Sequence, residues 1–528
     1  MKKRLPVTAI APPLLLAAYL IARLFNNVFE NDELQHLHVV WSWTRGLVQY
    51  KDVFDNHAPL YHLQTAGALW LIGAPASAGW LTFARALSLP VFVSTLAAAY
   101  RLARKVFGLG QEEALAAACL LGLTSPFMAF AARPEPLWLL FFFLSLLFFT
   151  GEEDGWRRGF LAGLVNGAGA MVSLKTLVLL LPAQLLAAGA LRIFRRGRLD
   201  LKFAAGFAAG LAVFPALIAA YFVKLDAFRE LIYYTLTYNS GGAPLAVSAV
   251  RMSIAAASAP VIFFLLERLS KSSGHGFSIY AASGLFLGLL LYLYPVMEHQ
   301  TVLPLRLMLY LSAASGLVRA ARALPRLEAR AAPPALFLAV LAFQLYNTGA
   351  LKSANSLQKS YIDRILGLGG ENGYVMDAKG ESVFARRPFY YALELLAMRR
   401  IASGEIPDEI PARMRSTATK LLLLWFPYHF SPVDLAFFHE NYLPLGGQFP
   451  DLYAAGKIVG VPGGKAEFEI AIPASYEVSC QGGGDIQIDE SSSAGKERFL
   501  AAGRHSVSVP AGCRAVRLLW DRAAGEGT

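Results

Sequence analysis

The sequence predicts a polytopic α-helical membrane protein with about eleven transmembrane helices and a C-terminal extracytoplasmic α/β plus β-sandwich region. Three observations lead there. Hydrophobic residues make up 55% of the 528 and charged residues 16%, against about 25% charged in soluble domains. The apolar residues lie in long blocks before about residue 350, and the remainder is ordinary globular sequence. Lys and Arg concentrate in the short segments between alternate blocks, as they do when a membrane protein sets its orientation. A disordered chain is excluded, and an ordinary soluble enzyme is disfavoured. The net charge of +11 does not indicate nucleic acid, because no basic run is interleaved with aromatics on a polar segment.

The N-terminal stretch MKKRLPVTAIAPPLLLAAYLIARLF has the basic start of a signal peptide. Its apolar part is long, Pro12 and Pro13 interrupt it, and Arg23 follows where a cleavage site would need small residues. It reads as an uncleaved first span. Further apolar blocks lie near 79–100, 113–132, 135–150, 159–174, 176–191, 203–223, 245–266, 277–296, 301–318 and 333–350. Each approaches the ~20 residues a bilayer requires, although 135–150 and 159–174 are short. The stretch Leu60–Ala74, flanked by Pro59 and Pro75, reads as a helix lying at the interface. With the N-terminus inside, the inner segments hold clusters such as Arg101, Arg104, Lys105 and Arg192, Arg195, Arg196, Arg198. Everything after about Leu351 then falls outside. In a bacterium this means a multi-pass inner-membrane protein with a periplasmic tail.

Under that orientation the polar residues at apolar boundaries collect on the outer face. The first outer loop carries Glu30, Asp32, Glu33, His36, His38, Asp52, Asp55, His57 and His62. Later boundaries add Arg133 and Glu135, then Lys175, then Glu298, His299 and Arg306. Ionisable groups near bilayer depth are costly, and each is a functional-site candidate. Each also has a plainer reading. Asn31-Asp32-Glu33 is a fitting helix start, Arg133-Pro134-Glu135-Pro136 a helix-breaking turn, and Lys175 a snorkelling side chain. The histidines near acids leave a divalent metal open as a cofactor, but their spacing matches no recognised zinc motif. No CxxC occurs; Cys119 sits in an apolar block, and Cys480 and Cys513 are positioned to pair if the tail is outside the cytoplasm.

Four pieces in order carry a resemblance: Asp32-Glu33 with His36, Tyr50 to Leu60, Arg133-Pro134-Glu135-Pro136-Leu137, and Ser173-Leu174-Lys175-Thr176. Together they resemble the membrane glycosyltransferases of the GT-C fold, among them protein O-mannosyltransferase, aminoarabinose-transferase and lipopolysaccharide-core sugar-transferase relatives. The resemblance covers the N-terminal third; the later spans match in layout. It implies a polyprenyl-phosphate-linked sugar donor, used on the extracytoplasmic side, and a glycan, lipid or protein acceptor. It also implies that an acid of the first loop is the base, with Asp32 the best fit and Glu33 the near rival. NHAP at 56–59 departs from the Lys-Pro-Pro or His-Pro-Pro of many relatives, which leaves the roles of Asp55 and His57 open.

Physical chemistry asks for the same parts. Transfer needs a carboxylate within reach of the acceptor hydroxyl and cations where negative charge grows on the departing phosphate. Arg133, Lys175 and Arg306 are candidates for the phosphate. Glu135 is placed to orient Arg133 or the acceptor. His36 and His299 complete the candidate substrate contacts. No GxGxxG or Walker loop stands in strand–helix context, which favours a lipid-phosphate donor over a nucleotide sugar.

The tail divides into an α/β segment (351–458) and a small β-sandwich (459–528), after a transmembrane domain of 1–350. Tyr390–Ile401 reads as a helix and Leu421–Phe426 as a buried strand ended by Pro427. Alternation at 467–472, 476–480, 485–489 and 505–509 marks half-buried strands, and Asp489-Glu490 reads as a solvated turn. The rival functions are a transporter or flippase of a lipid-linked sugar, for which no convincing internal repeat is present, and a membrane-anchored envelope-assembly protein.

Overall fold

The computed structural model describes residues 7–73, 75–149, 155–186, 200–240, 300–322, 326–480, 485–492 and 497–524. They belong to two units. The first comprises Met1–Val28, Asn56–Leu71 and Leu81–Asn355; the second comprises Phe29–Asp55, Ile72–Trp80 and Ser356–Thr528.

The first unit is helical. Its main helices are α1 (Val7–Asn26), α3 (Leu60–Ile72), α4 (Gly79–Lys105), α5 (Gln111–Thr124), α6 (Glu135–Phe149), α7 (Trp156–Val172), α8 (Leu201–Lys224), α9 (Leu303–Arg322) and α10 (Arg326–Thr348). The label α2 is kept for Asn31–Thr44, which lies in the second unit. Polar side chains settle the helix ends. Glu113 accepts the Gly110 N–H at 2.5 Å at the start of α5, and Asp200 takes the N–H groups of Lys202 at 2.9 Å and Gly155 at 2.7 Å, capping α8 and the approach to α7. Arg85, wholly buried, donates to the carbonyls of Leu24, Asn27 and Val28 at 2.7–2.9 Å. These carbonyls lie at and just beyond the end of α1, where helix carbonyls lack intrahelical partners; that of Asn27 also accepts from Asn355 at 3.0 Å. Between α6 and α7, Asn166 donates to Ser145 at 2.9 Å and Ser145 to Gln184 at 2.7 Å, a satisfied polar cluster in an apolar interior.

The closest helix–helix packing joins α7 and α8. Gly159, Gly163 and Gly167 recur every fourth residue on α7, and Gly206 and Gly210 do the same on α8. Residues four apart share a helix face. A Cβ on Gly163 would lie 2.1 Å from the Phe207 carbonyl oxygen, and one on Gly210 would lie 2.1 Å from that of Phe160. The backbones touch because no side chain separates them.

The expectation of about eleven spans is not met among the described residues. Two helices are long and apolar enough to cross a membrane, Gly79–Lys105 and Leu201–Lys224, or three if Ile10–Asn26 and Asn31–Thr44 count as one broken span. Block hydropathy does not register where a helix breaks. The block at 113–132 divides into α5 and the turn Phe127–Ala129, α6 has only 15 residues, and α9 carries three arginines. The blocks at 245–266 and 277–296 lie outside the described residues. Only 22% of the apolar window of α8 is buried, so most of that helix presents apolar side chains outward, as a lipid-facing helix does.

In the second unit α2 is joined by α11 (Ser356–Gly369), α12 (Leu395–Ala402), α13 (Ile410–Ser416) and α14 (Pro432–Asn441). Its strands are β1 (Val375–Met376), β2 (Leu421–Leu423), β3 (Tyr442–Gly446), β4 (Phe449–Gly460), β5 (Lys465–Ile470), β6 (Ala474–Cys480), β7 (Gln487–Ile488), β8 (Ser491–Ser492), β9 (Glu497–Leu500), β10 (Gly503–Ser508) and β11 (Ala515–Trp520). One sheet runs β1-β2-β4-β11-β6-β9 with β3 also on β4; the other runs β5-β10-β7-β8. Among the strands of the described residues, β1 and β2 alone pair in parallel. The first sheet continues across residue 458, which lies inside β4. The strands expected at 467–472, 476–480 and 505–509 form at 465–470, 474–480 and 503–508, while that expected at 485–489 is reduced to Gln487–Ile488. Asp489 and Glu490, at φ 48° and 64°, make the two-residue turn that joins β7 to β8. Cys480 and Cys513 form a disulfide with Cα atoms 6.0 Å apart, tying the end of β6 to the approach to β11.

The helix expected from Tyr390 begins instead at Leu395. Residues 391 and 393 are occupied by a loop: Leu393 N–H donates to the Ala378 carbonyl at 2.7 Å, and Arg387 donates to that of Tyr391 at 2.9 Å. The buried strand expected over 421–426 is paired only at 421–423.

Candidate functional site

In the second unit, the site begins at the first turn of α2. Glu30 is extended at the N-cap, and Glu33, fully buried, accepts its N–H at 3.1 Å. Asp32, on the same turn, remains about a third exposed and receives the Lys379 ammonium at 2.6 Å.

Lys379 is held there by a loop organised around Asp377, the residue after β1. The Asp377 carboxylate accepts from Gly380 N–H (2.8 Å), Ser382 N–H (2.8 Å), Ser382 hydroxyl (2.7 Å) and Arg387 Nε (2.9 Å). Gly380 has φ +102°, and a Cβ there would stand 2.9 Å from the Cβ of His38, so glycine is what lets the loop close on α2. Val383, at φ 56°, turns its carbonyl to His38 Nδ1 at 2.9 Å. A β-branched residue in that region is strained and persists only where surrounding contacts over-determine it.

Burial and charge compete at this loop. Burial lowers the affinity of Lys379 for its proton, but the Asp32 carboxylate, helped by Glu394 and Glu381, outweighs it and raises the ammonium above its ordinary value. Burial, then the neighbouring Asp377 charge, pushes Glu381 up to about 7. Burial also pulls His38 below the usual imidazole value. The Glu381 shift has a consequence for stability. Between its ordinary value of 4.5 and about 7 the folded chain holds a proton that the unfolded chain releases. That contribution to stability is fully present below 4.5 and is lost as pH rises through about 7. Thermal unfolding of the whole chain is expected to fall in midpoint across this window, with a shallower slope in Glu381→Gln. An unchanged slope in the variant would rule out a neutral Glu381.

In the first unit, Arg133 and Glu135 stand at the N-terminus of α6. Both are buried, and they share two hydrogen bonds at 3.1 and 3.2 Å. Arg133 also donates to the side-chain oxygen of Gln300. Lys175 reaches the Thr301 hydroxyl at 3.5 Å and lies 6.0 Å from the centre of the Trp138 ring. Trp138 is itself held by Nε1–H donating to Thr176 at 2.9 Å. Two cations therefore converge on the Gln300–Thr301 turn that leads into α9. Arg306, in the first turn of α9, is half-buried and makes no side-chain hydrogen bond among the described residues.

The residues singled out in the sequence thus fall into two sets. Asp32, Glu33, His36 and Asp55 belong to the second unit; His57, Arg133, Glu135, Lys175 and Arg306 belong to the first. His36 is buried, and Asp55 is fully buried and accepts from Gln49 Nε2 at 2.6 Å. His299 lies outside the described residues. Among the described residues no group of three His, Cys, Asp or Glu side chains is disposed to hold a metal ion. Sequence reasoning missed Lys379, Asp377, Arg387, Gln300 and Thr301. The one local signal was the polar, glycine-bearing Asp377-Ala-Lys-Gly-Glu-Ser turn, typical of a side-chain-organised loop.

No family model matches the chain, and no curated protein matches it. Among solved structures, the chain is similar to the oligosaccharyltransferase of Archaeoglobus fulgidus. Against its apo form the TM-score is 0.45 at 11% identity, covering 79% of this chain and 69% of that one. Against its complex with Zn and sulfate the TM-score is 0.47 at 8% identity, covering 98% and 99%. Against its complex with an inhibitory peptide and a dolichol-phosphate the TM-score is 0.44 at 11% identity, covering 79% and 68%. Likeness at this level is too loose to assign the chain a fold family, an activity or a ligand.

Proposed function

We propose that the chain is a membrane glycosyltransferase of the GT-C kind that moves a sugar from a polyprenyl-phosphate-linked donor to an acceptor hydroxyl on the extracytoplasmic face. In this reading the acceptor oxygen attacks the anomeric carbon and its proton passes to Asp32. The bond from that carbon to the phosphate oxygen breaks, and the lipid phosphate leaves with the electron pair. Arg133 and Lys175 face the donor phosphate, and Arg306, in the same unit, is the third cation assigned to it. Glu135 orients Arg133. His36, Asp55, His57 and His299 are assigned to substrate contacts.

The observation that carries the reading is the meeting of Arg133 and Lys175 at Gln300–Thr301 within an apolar helical unit. Arg133, paired with Glu135, and the half-buried Lys175 bring two cations to one turn, where they are placed to stabilise negative charge growing on a departing phosphate. The Cys480–Cys513 disulfide supports an extracytoplasmic tail, since such bonds persist in oxidising compartments.

The test is transfer from a radiolabelled polyprenyl-phosphate hexose by the full chain in lipid nanodiscs. Lys175→Met is expected to reduce transfer about a hundredfold, the size of loss that follows removal of one donor to developing charge. Passage of the labelled lipid across sealed vesicles with no glycoside formed would replace this reading with that of a flippase.

A further inference from the structure

A cavity of about 460 Å³ lies in the second unit, where the C-terminal end of α11, the turn after α13, the start of β6 and the end of β11 meet. We propose that it is a binding site for an uncharged oligosaccharide. Its volume falls within the ~300–1,000 Å³ of typical small-molecule sites. Its lining includes none of the residues assigned to transfer, so the proposal goes beyond the transferase reading and does not depend on it.

Three aromatic residues line the cavity: Tyr374, Phe499 and Trp520. Trp520 is buried and Tyr374 half-buried, while Phe499 is 66% exposed on β9, the edge strand of the first sheet. A pyranose has an apolar face of C–H groups that packs on such rings, and a rim of hydroxyls that must find partners once withdrawn from water. The lining supplies both kinds of partner. The Lys420 ammonium stands 5.9 Å from the centre of the Trp520 ring and makes no hydrogen bond or ion pair among the described residues. Asp521, next to Trp520, accepts the Arg522 N–H at 2.7 Å through one carboxylate oxygen and remains an acceptor. Ser475 stands opposite Phe499 across the β6–β9 pair.

The charges argue for a neutral ligand. Two cations and one carboxylate line the cavity. Arg522 is exposed and donates to the Leu368 carbonyl at 3.4 Å, so the half-buried charges, Lys420 and Asp521, balance. A second observation comes from the end of α13. There the Ala418 N–H donates to the Arg415 carbonyl at 3.1 Å and the Thr419 N–H to that of Met414 at 3.0 Å, a closing pattern whose left-handed position is usually glycine. Ala418 holds that position at φ 47°, and it lines the cavity. A methyl group is thus carried on the wall against the cost of its backbone conformation, and such strain gathers at ligand sites.

The experiment is a glycan array probed with the full chain in detergent, followed by ligand-observed NMR titration of the best-retained neutral hexose oligosaccharide. The array carries neutral, uronic-acid and sialylated glycans. Neutral oligosaccharides are expected to be retained, with acidic analogues binding no more tightly. Phe499→Ala should weaken binding about tenfold, the loss of one ring stack, with the unfolding midpoint unchanged because the ring is exposed. Lys420→Met should weaken it about fivefold, the net contribution of one hydrogen bond. Val433→Ala, exposed and outside the cavity, should bind as the parent does. No retained glycan, tighter binding of the acidic analogues, or full affinity in either cavity variant overturns the site. The titration needs neither donor nor turnover. Oligosaccharide binding without any transfer would remove the transferase reading and keep this site, and transfer without such binding would remove this inference alone.

Discussion

Gly163→Leu is expected to prevent the chain from accumulating as a folded protein. A Cβ at this position would lie 2.1 Å from the Phe207 oxygen and 2.7 Å from the Leu211 nitrogen, both backbone atoms of the opposing helix. Backbone cannot rotate away as a side-chain tip can, so α7 and α8 would have to separate along their length. Separation also loses the matching contacts of Gly159, Gly167, Gly206 and Gly210, each with a Cβ-to-backbone distance of 2.5 Å or less. Overpacking a well-filled interior costs about 1–3 kcal/mol where neighbours can adjust, and more where they cannot. Gly316 is the control: nothing lies within 4 Å of a Cβ there. Gly316→Ala on α9 should be neutral or stabilise by up to about 1 kcal/mol, since glycine is the poorer helix former. Thermal unfolding of the purified chains makes the comparison. A Gly163→Leu protein with the parental midpoint would mean that α7 and α8 do not pack as described.

The second large effect is expected at Asp32. Asp32→Asn keeps the size of the side chain and a group able to meet Lys379, but removes the negative charge and the ability to take a proton. A positioned general base is worth about 10²–10⁴ in rate, so transfer should fall by that factor. Stability should change by less than about 1 kcal/mol, because the carboxylate is partly exposed and such ion pairs contribute little net. Glu33 gives the contrast. It is fully buried and accepts the Glu30 N–H, so Glu33→Gln is expected to weaken the start of α2 by about 1 kcal/mol and spare transfer. Rates and unfolding midpoints measured together separate the two. Full activity in Asp32→Asn, or loss confined to Glu33→Gln, would reverse the assignment.

The legible part of this protein was local. The acids at the start of α2, the breaking of helix at Arg133-Pro134-Glu135-Pro136 and the Asp489-Glu490 turn depend on neighbours within a few positions and appear where the sequence put them, and three of the four alternating strands of the tail form within two residues of their expected bounds. Among the described residues the span count fell short for the same reason, since an average over twenty residues hides a break inside it. The α7–α8 glycines were visible as residues, yet their meaning depended on which helix lies opposite.

The sequence by itself determined that the chain is a helical, apolar protein with a mixed α/β tail, because periodicity and hydropathy are written in adjacent residues. Only the tertiary structure decided that Asp32 meets Lys379, 347 positions away, that Gly380 lets that loop reach His38, and that Arg133 and Lys175 share the Gln300–Thr301 turn. Such pairings arise from chain closure over long separations, and no local preference encodes them.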